Sequence, residues 1–206
     1  MYYSQYEQDK ILNETIFKNK QEGFFLDIGA HDGIWYSNSY FFEKNLNWDG
    51  ICVEPNPVVF EKLIKNRKAK CLNVGMWNES KILEFCKITG YAEMLSGFLE
   101  SYHPTHKMQI DNEIKQFGGK KQILKIECIS FNDLIKEHNV KKIDLLTIDV
   151  EGAEQNIIYS IDFSEIDIDV IICENNYNDK KIQNYLKQGG YSFIRKIKCD
   201  DVYRKI

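Results

Sequence analysis

Phe24-Phe25-Leu26-Asp27-Ile28-Gly29-Ala30-His31-Asp32-Gly33 decides how this chain of 206 residues is read. An apolar run climbs to an acid, breaks into a turn of small residues, and runs on into a stretch with helical character. That is the sequence form of the first strand and nucleotide-binding turn of a doubly wound α/β fold. The glycines select the ligand. A dinucleotide fingerprint needs a second glycine so that a pyrophosphate can approach the backbone. Here that place is His31, and the third glycine place is Ile34. A pyrophosphate fits this turn poorly. A ligand with a smaller charged group, such as the amino-acid end of S-adenosylmethionine (SAM), fits better.

Working outward, the chain alternates short apolar runs with amphipathic stretches. Strands are predicted over 24–28, 51–53, 71–74, 82–88, 125–129, 143–148 and 170–173, with closing strands over 191–197 and 202–206 as an antiparallel edge pair. Helices are predicted between them. Ser4-Gln5-Tyr6-Glu7 has the pattern of a capping box for a helix running to about Lys18. Ser37 or Asn38 is placed to cap the next helix, with Tyr40 and Phe41 facing inward. Asn56 followed by Pro57 is an N-cap before the preferred first helical residue, and Val59, Phe60, Leu63 and Ile64 form that helix's core face. Ser130 caps a helix carrying Leu134 and Ile135, and Gly189-Gly190 stops one carrying Ile182 and Leu186. Strand and helix in alternation predict a mainly parallel sheet covered on both faces. Length and the lack of any linker predict a single domain over 1–206. One stretch, about 89–122, has no clean period and reads as a lid or acceptor-binding insertion. In it, His103-Pro104-Thr105-His106 reads as loop surface, because proline between the histidines disfavours a shared helical face.

Composition narrows the partners. A net charge of −4 offers no basic surplus for nucleic acid. The polar N-terminus predicts no secretory signal, and no apolar run is long enough to span a membrane. Six scattered cysteines without a C-x-x-C pair predict a reduced, cytoplasmic protein.

Four buried runs end on acids: Asp27, Glu54, Asp149 and Glu174. In an open α/β sheet the ligand sits outside these carboxyl ends. Glu54 follows Gly29 at about the spacing of the acid that binds a ribose diol, and its two oxygens suit two adjacent hydroxyls. Asp27 is placed either to order the loop amides or to reach a ligand ammonium, and Gly29 and Gly33 let the backbone come close. Asp149 and Glu151 flank Val150 after the strand over 143–148, and Glu151 is equally placed to serve the dipole of the following helix. Asp149, Glu174 and Asn175 would make an oxygen site for Mg²⁺, ranked below a metal-free site. His31 is either a base toward an acceptor hydroxyl or a residue that fills the turn.

These segments resemble the FkbM family of SAM-dependent methyltransferases. Residues 25–33 resemble its first motif and Val53-Glu54-Pro55-Asn56-Pro57 its second. Leu145-Leu146-Thr147-Ile148-Asp149-Val150-Glu151-Gly152-Ala153-Glu154 is similar to its most characteristic segment. Ser4-Gln5-Tyr6-Glu7-Gln8-Asp9 resembles an N-terminal Ser-Gln-x-x-Gln-Asp pattern, with Glu7 where glycine is common. The resemblance implies a class I, Rossmann-like methyltransferase fold and O-methylation of a hydroxyl, often on a sugar, so that a small molecule or glycan is the acceptor. It implies that Asp27, Gly29, Ala30, His31, Gly33, Glu54 and Pro55 hold the donor, that Gln5 and Gln8 cover it, and that Gly75 and Met76 border the adenine. Asp149, Glu151 or His31 would take the hydroxyl proton, or Mg²⁺ would acidify it. Two other readings are a catalytically silent SAM-fold binding module and a nicotinamide-dependent oxidoreductase; His31 and Ile34 argue against the second.

Overall fold

The apolar runs become strands in the computed structural model, which describes residues 1–206. In chain order the elements are α1 (Gln8–Leu12), β1 (Phe24–Ile28), α2 (Tyr40–Leu46), β2 (Asp49–Val53), α3 (Pro57–Asn66), β3 (Lys70–Leu72), β4 (Gly75–Trp77), β5 (Lys81–Gly90), β6 (Gly97–Phe98), α4 (Pro104–Phe117), β7 (Gly119–Ser130), α5 (Phe131–Glu137), β8 (Lys142–Ile148), α6 (Glu154–Ser160), β9 (Asp167–Glu174), α7 (Lys181–Gln188), β10 (Tyr191–Ile197) and β11 (Asp200–Lys205).

Seven strands form the main sheet, in the order β10-β11-β9-β8-β1-β2-β3. The five from β9 to β3 run parallel, and β11 and β10 close one edge antiparallel. This is the expected doubly wound α/β sheet with its antiparallel edge. Alternate side chains of each strand feed opposite cores, as the pleat requires. Leu26 and Ile28 of β1 join a core shared with α5, α6 and α7, while Phe25 joins one shared with α1, α2 and α3. The chain leaves β1 toward β2 and later returns to β8 on the other side. Such a reversal splays the loops at the carboxyl ends of β1 and β8 and opens a crevice there.

Several local expectations are corrected. Glu7 does not close a capping box. Its φ is 61°, and α1 starts only at Gln8. The reciprocal pair is Ser4 and Asp9: Ser4 Oγ accepts the Asp9 amide at 3.0 Å, and the Asp9 carboxylate accepts from the Ser4 amide at 3.4 Å. The helix then loosens into a π-helical turn, Asn13–Phe17. The cap position of α2 is Ser39 rather than Ser37 or Asn38, although Ser37 Oγ accepts the Tyr40 amide at 3.1 Å. Asn56 caps α3 as expected, but Ile64 lies on its exposed side.

The expected strand over 71–74 divides. Its first part is β3. Gly75, read as a turn, instead opens β4 in a second sheet of order β4-β7-β5-β6. A Cβ at Gly75 would lie 2.3 Å from Phe98 Cζ, so glycine here admits the Phe98 ring. The stretch over 89–122 is also more regular than its composition suggested. It holds a 3₁₀ turn (Glu93–Leu95), β6, α4 and the start of β7. Ile88, Tyr102 and Ile110 form a small separate core beneath α4. No helix is long and apolar enough to cross a membrane.

Candidate active site

The crevice is built by three strand ends that grip one another through the backbone. Gly29 N and Ala30 N donate to Val53 O at 3.0 and 3.1 Å, drawing the turn after β1 over β2. Asp149 N donates to Ile28 O at 3.0 Å, drawing the end of β8 against β1. Gly29 sits at φ +88°, and a Cβ there would lie 1.8 Å from the Asp149 carbonyl oxygen. Only glycine fits both the angle and the approach. Gly29→Ala is therefore expected to lower stability by more than ~2 kcal/mol in denaturant titration, with the crevice splayed.

The first motif divides its labour. Gly29 and His31 line the crevice. Ala30 is buried in the core beneath it. A Cβ at Gly33 would lie 2.6 Å from Arg67 Cγ, so Gly33 makes room for that side chain. Asp27 also turns away. Its carboxylate accepts from Ser39 Oγ and lies 3.7 Å from Arg67 Nη1. The buried guanidinium of Arg67 also bonds Glu43 at 2.7 Å and Gly33 O at 3.2 Å. Burial raises the Asp27 pKa, and Arg67 and Ser39 oppose that rise. Asp27 fills neither of its two open roles: it meets a side-chain hydroxyl and a guanidinium rather than loop amides, and ties β1 to the residue that ends α3.

Glu54 ends β2 in the crevice wall. Its Oε2 accepts the His31 amide at 3.0 Å and its Oε1 the Asn56 amide at 2.7 Å. Each oxygen keeps a further acceptor site. Burial pushes its pKa up to about 7, against the pull of those two amides. Pro55 and Met76 stand beside it, whereas Gly75 lies behind, against Phe98. The imidazole of His31 has both nitrogens buried without a hydrogen-bond partner, Nε2 being 3.6 Å from Glu93 Oε1. Burial lowers its pKa, which keeps the ring neutral near pH 7.

The crevice has two chambers. The inner one, about 80 Å³, holds Gly29, His31, Glu54 and Met76. The outer one, about 460 Å³, holds Gln5, Tyr36, Glu174 and His106. Met94, Asp149 and Glu151 line both and form the passage between them. Asp149 is open to water yet ringed by protein. That setting and the nearby Glu174, Asp200 and Glu154 push its pKa upward. Burial and then Asp149 do the same to Glu151. Glu151 carries φ 58° and Gly152 φ +111°, a strained turn that aims both acids into the passage.

Gln8 does not reach the crevice. Its amide donates to Asp200 at 2.5 Å and accepts from the Tyr6 amide at 2.7 Å. The oxygen set of Asp149, Glu174 and Asn175 is not assembled either. Asn175 Oδ1 accepts the Asp179 amide at 2.9 Å, and its Nδ2 donates to Asp201 at 2.6 Å. Glu154 stands with Asp149 and Glu174 instead, carboxyl oxygens within 4.8 Å of one another. Its Oε1 is already taken by the Val150 and Gly152 amides, both at 3.1 Å.

Two residues from the stretch over 89–122 belong to the site. Glu93 faces His31 in the inner chamber, and His106 faces Glu151, its Nδ1 lying 3.4 Å from Oε2. His106 was read as loop surface because Pro104 sits between the two histidines. Pro104 is instead the first residue of α4, with His103 capping it, and this rolls His106 inward. The signal was present: proline at a first helical position, followed by Ile110, Ile114 and Phe117 at helical spacing.

A parallel sheet with this strand order, an acid at the second strand end and an open switch-point crevice define the class I methyltransferase fold. Two solved structures share it at 10% sequence identity. Methyltransferase FkbM from Methylobacillus flagellatus KT aligns with a TM-score of 0.52 over 90% of this chain and 44% of its own. The METTL16 MTase domain aligns with a TM-score of 0.50 over 96% of this chain and 65% of its own. The chain thus spans less than two thirds of either protein. No curated protein matches the sequence. The Methyltransferase FkbM domain model matches residues 27–193, and the chain belongs to that family.

Proposed function

We propose that this protein is a SAM-dependent O-methyltransferase whose acceptor is a hydroxyl of a sugar or glycan. One observation carries the reading: a two-chambered crevice at the β1/β8 switch point, with Glu54 in the inner chamber and Asp149 and Glu151 at the passage. The inner chamber suits the donor's ribose, and the passage leads on to the outer one. Glu54 has two free acceptor sites for a ribose diol, Gly29 lets the ligand approach the backbone, and the neutral His31 offers one donor and one acceptor. When bound, the donor supplies a methyl on sulfonium, which a hydroxyl oxygen takes as the C–O bond forms and the C–S bond breaks.

The chain's residues do the rest. Tyr36 and Glu174 line the chamber that holds the acceptor, and alignment of the reacting atoms supplies several kcal/mol of the barrier. Glu151, with Asp149 beside it, takes the hydroxyl proton. A carboxyl whose pKa is raised is a stronger base than an ordinary one once it is ionised. A carboxylate base needs no metal, so no step is routed through one.

The test is transfer of labelled methyl from SAM to a panel of sugars and glycans. Glu151→Gln should lower turnover about 10²–10⁴-fold with donor affinity kept, the range for a lost general base. Transfer should survive EDTA. Donor binding without transfer to any hydroxyl would favour a silent binding module, and binding of NAD in place of SAM would favour an oxidoreductase.

A further inference from the structure

The site holds more carboxyl groups than a SAM donor and a neutral sugar would use. A third chamber of about 360 Å³ lies between α4 and the ends of β8 and β9. It shares Glu174, His106 and Tyr177 with the outer chamber, so the two are continuous. No Lys or Arg lines any of the three chambers, although the chain has 27. Asp149, Glu151, Glu154 and Glu174 crowd this space, and none is ion-paired with Lys or Arg. Acids elsewhere do find partners: Lys121 reaches Asp111 at 2.5 Å and Lys205 reaches Asp167 at 2.7 Å. Uncompensated carboxyls packed together repel and are costly to ionise. A fold keeps such a cluster at a crevice when something brought there supplies the opposite charge.

His106 is an independent sign of a ligand. Its side chain is only 7% exposed, it lines both chambers, and its Nε2 has no hydrogen-bond partner. Buried polar atoms are rarely left unpaired without reason. The walls are also aromatic. Tyr102 stacks on His106 with ring centroids 4.8 Å apart, and the exposed Tyr177 packs on His103 at 4.3 Å. Such faces suit both the C–H face of a sugar ring and an ammonium.

We propose that the acceptor carries an ammonium beside its hydroxyls, as an amino sugar does, and docks in this chamber with the ammonium against Glu174 and Glu154. The proposal rests on the methyltransferase reading above and adds the charge of the acceptor. Anionic acceptors are disfavoured, since no Lys or Arg lines the chambers to meet their charge and each carboxyl that ionises would repel it. A metal ion is the lesser occupant: the chamber is far larger than an ion needs.

Ligand-observed NMR titration with glucosamine, N-acetylglucosamine and glucose 6-phosphate tests this, with and without S-adenosylhomocysteine. Glucosamine should bind at least tenfold more tightly than its N-acetyl form, and the phosphate should not bind. Glu174→Gln should erase the preference, and Glu174→Asp should keep most of it. Equal binding of the three sugars would overturn the proposal, as would tighter binding of the phosphate or Mg²⁺ that binds alone and displaces glucosamine. Failure of S-adenosylhomocysteine to bind, with the amine preference intact, would count against the donor and not against this site.

Discussion

Glu54→Ala is expected to weaken SAM binding about 10²–10³-fold. The carboxylate has two oxygens, each with one site spent on a backbone amide and one free toward the inner chamber. Two hydrogen bonds from a diol to a charged acceptor are worth roughly 3–5 kcal/mol together, and every 1.4 kcal/mol is a factor of ten. The same change leaves the His31 and Asn56 amides unpaired, at about 1–3 kcal/mol each, so the melting temperature falls as well. Calorimetric titration well below that temperature separates the two effects. Donor affinity within threefold of the parent would remove Glu54 from the site.

The second large effect is on stability. Between pH 7 and 9 the ligand-free protein should lose about 5–10 °C of Tm. Burial first, then Glu151 and Glu154, push the Glu174 pKa up to about 9 from an ordinary 4.5. Over this window the folded protein holds a proton that the unfolded chain has released, so stability falls as pH rises. The contribution is complete below about pH 4.5 and gone above about pH 9. Glu54, at about 7, adds a loss of the same sign at lower pH. His31 and His106 are shifted down by burial and act in the opposite direction, but their effect is complete by pH 7. The acids held low, Asp133, Asp162, Asp167 and Asp179, titrate well below this window. Circular dichroism melts at pH 7 and 9 read the slope, and Glu174→Gln should flatten it. A Tm that is constant or rises over this range would contradict the account.

The sheet was legible because its evidence is local. Continuous apolar runs such as 143–148 and 170–173 have to be buried on both faces, and a strand between two helical layers is the simplest way to do it. Asn56-Pro57 and Ser130 marked their helix starts because a cap is a contact between near neighbours in the chain. The acids at 54, 149 and 174 were found because strand ends share one side of a parallel sheet.

Some of what failed depended on partners far away in sequence, and some on near neighbours whose pattern is weak. Gly75 looked like a turn until Phe98, from another strand, required the missing side chain. Asp27 looked like a ligand residue, but the buried Arg67 claims it from forty positions away. Asn175 looked like a metal ligand, but its own loop takes its oxygen. His106 looked like surface because α4 is mostly polar and its few apolar residues make a weak stripe. The start of α4 at Pro104, with packing on Tyr102 and Ile110, rolls that histidine in to face Glu151. By itself, then, the sequence determined the strands and helices of the main sheet, the family's motifs and the side of the sheet on which chemistry sits, because these follow from chain-local periodicity and turn chemistry. The tertiary structure alone decided which acids stay uncompensated, which side chains face the crevice and how it divides into chambers, because burial and pairing are settled by residues that meet only after the chain has folded.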